Sequence, residues 1–136
     1  MDLVKDLMTP SPFTVLPDAT VGDAARLMET RRVRHVPVKD HDGRLVGLVS
    51  QRDLLRTAWQ LSTDGDPESW RNESISEVMR TDVSTVQAHE TAKEAARTIL
   101  SSRRSCLPVV DADGMLIGIL TEADYVRLIL RVGAAG

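Results

Sequence analysis

Apolar and polar positions fall in short blocks along this chain, and the blocks come twice. Val4, Leu7 and Met8 share one face of a helical turn that Thr9-Pro10 ends, and Thr14-Val15-Leu16 follows as a brief extended piece. Thr20 stands three residues ahead of Asp23, the spacing of a capping box. Behind it Val21, Ala24, Ala25 and Met28 line one helical face. A basic segment, Arg31-Arg32-Val33-Arg34, leads into a strand over 35–38. Asp42-Gly43 then predicts a tight type I′ turn, with positive φ at both central residues. The run Leu45-Val46-Gly47-Leu48-Val49 is apolar throughout, as in a strand covered on both faces, and a helix follows from Gln51 to about Leu61.

An offset of 71 residues brings the pattern back without insertion or deletion. Residues 34–53 read RHVPVKDHDGRLVGLVSQRD, and residues 105–124 read SCLPVVDADGMLIGILTEAD. Pro37 falls on Pro108, Gly43 on Gly114, Gly47 on Gly118, Ser50 on Thr121 and Asp53 on Asp124. Ile75-Ser76-Glu77-Val78-Met79 copies the opening turn, Thr85-Val86-Gln87 the extended piece, and Thr91 with Glu94 the capping box. Ala92, Ala95, Ala96 and Ile99 give the second helix face, and a closing helix runs from 122 to about 132. Such a repeat sets the architecture. Each copy reads β-α-β-β-α, an α/β (α+β) class with a right-handed crossover. The first repeat covers 1–61, a linker 62–74, and the second repeat 75–136. Ser62-Thr63-Asp64-Gly65-Asp66-Pro67 is polar and turn-forming, and Trp59 and Trp70 flank it. Their rings are expected to pin the linker to the body; the other reading is a partner or dimer surface.

Composition narrows the function. With four aromatic residues in 136, aliphatic side chains must fill the interior. A net charge of -3 argues against a nucleic-acid backbone as the main partner. One cysteine, Cys106, rules out an internal disulfide and suits a reducing compartment. The opening MDLVKDLMTP lacks the pattern of a secretory signal, and no apolar run approaches a membrane span, so no membrane insertion and a cytoplasmic location are expected. Nothing points to an enzyme. Cys106 has no basic partner nearby in sequence, and His35, His41 and His89 lack metal-ligand spacing. Asp40, Asp42, Asp111 and Asp113 gather at hairpin turns, where aspartate suits the backbone. No metal and no catalytic cofactor are expected.

With both repeats laid out, HVPV...DGRLVGLVSQRDLL and CLPVVDADGMLIGILTEADYV resemble the signature of cystathionine-beta-synthase (CBS) domains, which occur in tandem as a Bateman module. The resemblance implies two repeats packed about a pseudo-twofold axis, often dimerising again into a disc. It also implies clefts that bind AMP, ADP or ATP, sometimes S-adenosylmethionine, with NADH a further ligand to test. Such modules mostly act as regulatory sensors, through conformational change or assembly. A separate protein regulated in trans is compatible with this.

The sharpest candidate residues are Ser50-x-x-Asp53 and Thr121-x-x-Asp124. A carboxylate can accept from both ribose hydroxyls, and a hydroxyl at a helix N-terminus lies where backbone N–H groups and the helix dipole favour phosphate. The family uses this motif in those two roles, which gives Asp53 and Asp124 the ribose and Ser50 and Thr121 the phosphate. The same spacing also makes an ordinary capping box, and the residues alone leave both readings open. The family often places a basic residue just before the x-Pro pair. The first repeat has Arg34 and His35 there and the second Ser105 and Cys106, so phosphate is expected at the first repeat, with Arg34 and Arg52 as charge sources. Lys39 is expected to reach water rather than phosphate, and Arg31, Arg32, Arg103 and Arg104 to form a solvated basic edge. By family likeness Thr14, Val15, Val36 and Pro37, with Thr85, Val86, Leu107 and Pro108 opposite, would flank the adenine. Residues 46–49 and 117–120 would give it apolar walls. Glu122 beside Thr121 disfavours a polyphosphate at the second site. The alternative function is a ligand-free dimerisation scaffold, in which the motifs are caps only.

Overall fold

The computed structural model describes residues 2–61, 68–102 and 104–135. Two compact units form, and they cut across the sequence repeats. The middle unit is Phe13–Val83; the terminal unit joins Met1–Pro12 to Ser84–Gly136. Each unit therefore takes its opening turn from the other repeat, so the compact bodies are not 1–61 and 75–136. Of the proposed linker, Glu68 to Ser74 belongs to the middle unit; its turn-forming residues 62–67 lie outside the described residues, as does Arg103.

In the middle unit, α2 (Val21–Arg31) leads to β2 (His35–Lys39), β3 (Leu45–Ser50) and α3 (Gln51–Leu61), then to 3-10 turns at Ser69–Asn72 and Ile75–Glu77. The terminal unit begins with α1 (Val4–Leu7) and β1 (Thr9–Pro10), and continues with α4 (Ala92–Ser102), β4 (Cys106–Val110), β5 (Leu116–Thr121) and α5 (Glu122–Ala135). β2 and β3 pair antiparallel, as do β4 and β5, with β1 added beyond β5. Val15 bridges Val38 in parallel and Val86 bridges Val109, which gives both extended pieces their expected place.

Both helix starts follow from sequence. Thr20 Oγ1 accepts from the Asp23 amide at 3.1 Å and the Asp23 carboxylate accepts from the Thr20 amide at 3.0 Å, a complete capping box. The hydrogen bond from the Thr20 amide, then the Thr20 hydroxyl, holds the Asp23 carboxyl below its ordinary range against the opposing effect of burial, with Arg26 a lesser aid. At α4 the box is half made. Thr91 Oγ1 accepts from the Glu94 amide, whereas the Glu94 carboxylate pairs with Arg97 at 2.6 Å. Val21, Ala24 and Met28 bury on α2, and Ala92, Ala95 and Ile99 on α4; Ala25 and Ala96 are half-buried at the edge of each face.

The hairpin turn is not type I′. Gly43 has φ 94° and Gly114 φ 82°, but neither preceding aspartate has positive φ. The reason is two residues upstream: Asp40 Oδ1 accepts from the amides of both Asp42 and Arg44, as Asp111 Oδ1 does from Asp113 and Met115. This side-chain bracket builds a wider loop, with a register shift after Val38 and after Val109, and leaves only the glycine left-handed. Gly47 and Gly118 serve a different need. A Cβ at Gly47 would lie 2.5 Å from Met79 Sδ and 3.1 Å from Arg80 O; at Gly118 it would meet Met8 Sδ at 2.5 Å and Thr9 O at 3.1 Å. The close approach lets the segments after Ile75 and after α1 lie against β3 and β5.

Each unit has its own aliphatic core. Val21, Ala24, Met28, Val36, Val38, Val49, Leu54 and Ile75 fill the middle one. Val4, Leu7, Val86, Ala92, Ala95, Ile99, Leu107, Val109 and Leu120 fill the terminal one. β3 is less covered than its apolar run suggests: Gly47 and Val49 are buried, while Leu45, Val46 and Leu48 are half-buried. Trp70 packs against the middle core, as expected of a ring that pins its segment. Trp59 does not: its ring is 75% exposed on the outer face of α3.

Candidate functional site

The start of α3 gathers the polar candidates of the middle unit. β2 and β3 pair with His35 opposite Ser50, and the Gln51 amide donates to Arg34 O at 2.8 Å, so residues 34 and 35 meet the helix mouth. Arg34 and Arg52 are exposed and His35 half-buried. Ser50 and Asp53 close a capping box, as their spacing allows. Asp53 Oδ2 accepts from Ser50 N at 2.8 Å and Ser50 Oγ at 2.9 Å, and the Asp53 amide donates to Ser50 Oγ at 3.2 Å. The second carboxylate oxygen serves no cap. Asp53 Oδ1 faces Arg80 Nε at 3.3 Å and Arg56 Nη1 at 3.5 Å. The carboxylate is buried, its side chain 4% exposed, yet both guanidiniums reach water. A buried acid with one oxygen in the cap and the other against cations can still exchange a cation for a neutral hydroxyl donor.

Asp124 repeats the arrangement at the mouth of α5 in the terminal unit. Its Oδ2 accepts from Thr121 N at 2.7 Å and Thr121 Oγ1 at 3.3 Å, and its Oδ1 pairs with Arg127. A cavity of about 420 Å³ opens beside it, lined by Asp6, Leu7, Asp124, Arg127, Leu130 and Arg131. Cys106 lies opposite Thr121 in the β4–β5 pairing. Burial, then the nearby Asp124 charge, pushes its thiol up to about 12, so it stays protonated and inert at neutral pH. Burial, and secondarily Asp124, also raises Tyr125, whose hydroxyl donates to Ala92 O at 2.7 Å.

The residues named for adenine come together only as backbone. Val15 N donates to Pro37 O and Lys39 N to Val15 O, at 3.2 and 3.1 Å; Val86 N donates to Pro108 O and Val110 N to Val86 O, at 3.1 and 3.0 Å. The side chains of Val36, Pro37, Leu107 and Pro108 are fully buried, and Val86 nearly so. Thr14 is half-buried and Thr85 exposed. Any contact from the four fully buried residues must come from main chain. Among the basic-edge residues, Arg31 and Arg32 are exposed, Arg31 stacking over Phe13 at 4.7 Å.

Sequence reasoning missed three cations. Arg56 and Arg127 were within reach of it, standing three residues after the acids on the same helix face. Arg80 carried no local signal, lying 27 residues from Asp53. The two mouths now differ clearly in charge. Over the same eight repeat positions, the middle unit has Arg34, Arg52, Arg56 and Arg80 against Asp53 and Glu77, with Gln51 and Gln60 neutral. The α5 mouth has Arg127 and Arg131 against Asp6, Glu122 and Asp124, with Thr9, Ser105 and Ala123 neutral. No cluster of three metal-ligating residues occurs among the described residues, and none of the described helices is long and apolar enough to cross a membrane.

Comparison with known proteins bears on both mouths. The family model described as CBS domain matches residues 4–59 and again 75–131. A CBS domain-containing protein of Dictyostelium discoideum is 32% identical over 96% of this chain and 92% of its own length. Homoserine O-acetyltransferase of Methanohalobium evestigatum is also 32% identical, but the chain spans only 24% of that enzyme, within which the match is confined. The crystal structure of CBSX2 in complex with AMP superposes with TM-score 0.84 at 34% identity, covering 98% of this chain and 99% of that one; CBSX2 is from Arabidopsis thaliana. The CBS domain pair of protein MJ0100, in complex with 5-methylthioadenosine and S-adenosyl-L-methionine, superposes with TM-score 0.84 at 27% identity, covering 95% and 96%.

Proposed function

This chain belongs to the CBS-domain family as a tandem pair, and from that premise we propose that it is a regulatory module sensing an adenosine nucleotide at the mouth of α3. The observation that carries the reading is the divided use of Asp53. Oδ2 completes the helix cap while Oδ1 stays available, among arginines, to a ribose hydroxyl. Ser50, Arg34, His35 and Arg52 stand at the same mouth for the phosphate, and the excess of cations there suits AMP, ADP or ATP. Thr121 and Asp124 offer the same ribose contact in the terminal unit, where the balance of acids suits a nucleoside with little negative charge. The AMP bound by CBSX2 and the 5-methylthioadenosine and S-adenosyl-L-methionine bound by the MJ0100 pair support an adenosine-type ligand. No reaction is proposed. The ligand acts only by favouring one arrangement of the protein over another, and a protein regulated in trans would read that change. A reducing, cytoplasmic setting fits the buried thiol of Cys106.

The test is a melting screen against AMP, ADP, ATP, NADH and S-adenosylmethionine. At 100 times its dissociation constant a ligand adds about 2.7 kcal/mol, which for a chain of this size raises Tm by about 5–10 °C. AMP is expected to give such a shift; no shift from any of the five at millimolar concentration overturns the reading.

One observation favours an assembly role. Leu55 and Trp59 on α3 are 70% and 75% exposed, and their repeat counterparts Val126 and Leu130 on α5 are 55% and 66% exposed. Apolar residues exposed at the same positions of both copies suit a surface covered by a second copy of the chain. A dimer by light scattering with no ligand shift would favour the scaffold.

A further inference from the structure

We infer that Arg80 is a further residue, beside Arg34 and Arg52, by which the α3 mouth distinguishes a 5′-phosphorylated nucleoside from a bare one, an inference that rests on the nucleotide reading above. Ser50 N and Ser50 Oγ both occupy Asp53 Oδ2, so a ribose hydroxyl must donate to Oδ1. That oxygen already faces two guanidiniums, Arg80 at 3.3 Å and Arg56 at 3.5 Å. A hydroxyl donated to Oδ1 displaces one of them. Their side chains are 44% and 55% exposed, so either can move without opening the core.

The displaced guanidinium then lies one ribose away from the 5′ carbon. A 5′-phosphate gives it a new anionic partner; a bare nucleoside leaves it to water. Arg56 does not set this mouth apart, because its counterpart Arg127 pairs with Asp124 in the same way. Arg80 does, because its counterpart is Thr9; Arg34 and Arg52 also lack cationic counterparts, in Ser105 and Ala123, but of the three Arg80 is the one paired with the Asp53 oxygen that a ribose takes. The backbones correspond: Arg80 pairs with Leu48 of β3 through bonds of 2.9 and 3.0 Å, as Thr9 pairs with Ile119 of β5. Gly47 and Gly118 admit the two segments equally closely. The difference is therefore confined to the side chain, and the side chain that differs carries the charge a phosphate needs.

The experiment is calorimetric titration of the full chain with AMP and with adenosine, on the unaltered protein and on Arg80→Thr and Arg80→Lys. Arg80→Thr is expected to weaken AMP about tenfold, the low end for a half-exposed charged hydrogen bond. Adenosine should change by less than about twofold, and Arg80→Lys should recover part of the loss, because a point charge still attracts phosphate. Equal weakening of both ligands, or of neither, overturns the inference and makes Arg80 a strut for Asp53. If the unaltered chain binds neither ligand, the nucleotide reading falls and this inference with it. Should Arg80→Thr fail to fold, Thr9→Arg serves instead. It is expected to strengthen AMP at the α5 mouth, and no change there overturns the inference.

Discussion

Asp53→Ala is expected to weaken AMP binding by at least tenfold and to lower stability by about 1–3 kcal/mol, the ranges for a charged hydrogen bond and for a buried polar group left unpaired. The two effects come from different oxygens. Loss of Oδ2 leaves the Ser50 amide without its partner at 2.8 Å and opens the first turn of α3. Loss of Oδ1 removes the ribose acceptor and frees Arg56 and Arg80 from their shared anion. Ser50→Ala separates the two roles. It should cost about 1 kcal/mol of stability, as a lost cap does, while Asp53 Oδ1 stays in place and most of the ribose affinity with it. Calorimetry and urea unfolding of both variants measure the outcome. If Asp53→Ala melts earlier yet binds AMP with unchanged Kd, the acid is a cap and nothing more, as its spacing from Ser50 alone would allow.

That ambiguity shows how much of the site was legible. Ser50-x-x-Asp53 was readable as a pattern because a capping box and a ribose clamp need the same spacing. Only the positions of the two carboxylate oxygens show the cap confined to Oδ2, with arginines on Oδ1. Arg80 was not readable at all, since its approach to Asp53 depends on pairing with Leu48 across the sheet edge. The hairpins were legible as turns but not in type. Gly43 and Gly114 announced a left-handed position, while the bracket from Asp40 and Asp111 needed the loop's own hydrogen bonds. Trp59 was misplaced because apolar character says nothing of direction, and on α3 its position points outward beside Leu55. The mixed α+β class and the order of elements came through because the 71-residue offset showed every element twice.

The exchange of opening turns between the units was invisible for a related reason. Val4 and Ile75 stand at equivalent positions in equivalent patterns, so the sequence offers each turn either home. The structure seats Ile75 in the middle core with Val21, Val36 and Val49, its amide donating to Ala19 O at 2.8 Å. Val4 sits in the terminal core with Val86 and Leu107, its amide donating to Glu90 O at 2.9 Å. Ile75→Ala is therefore expected to cost about 2–4 kcal/mol, because a fully buried isoleucine loses its transfer energy and leaves a cavity behind. The loss should appear away from the mutated repeat. Hydrogen exchange should quicken in α2, β2 and β3, which belong to the first repeat, and hold steady in α4 and β4, which follow Ile75 in its own. Val4→Ala should do the reverse at a smaller cost, since fewer methyl groups are lost. The cause is the chain's path: each core is closed by a residue that arrives from the other copy, so neither repeat can complete its interior with its own opening turn. Quickened exchange in α4 and β4 on Ile75→Ala would mean that each copy closes on itself.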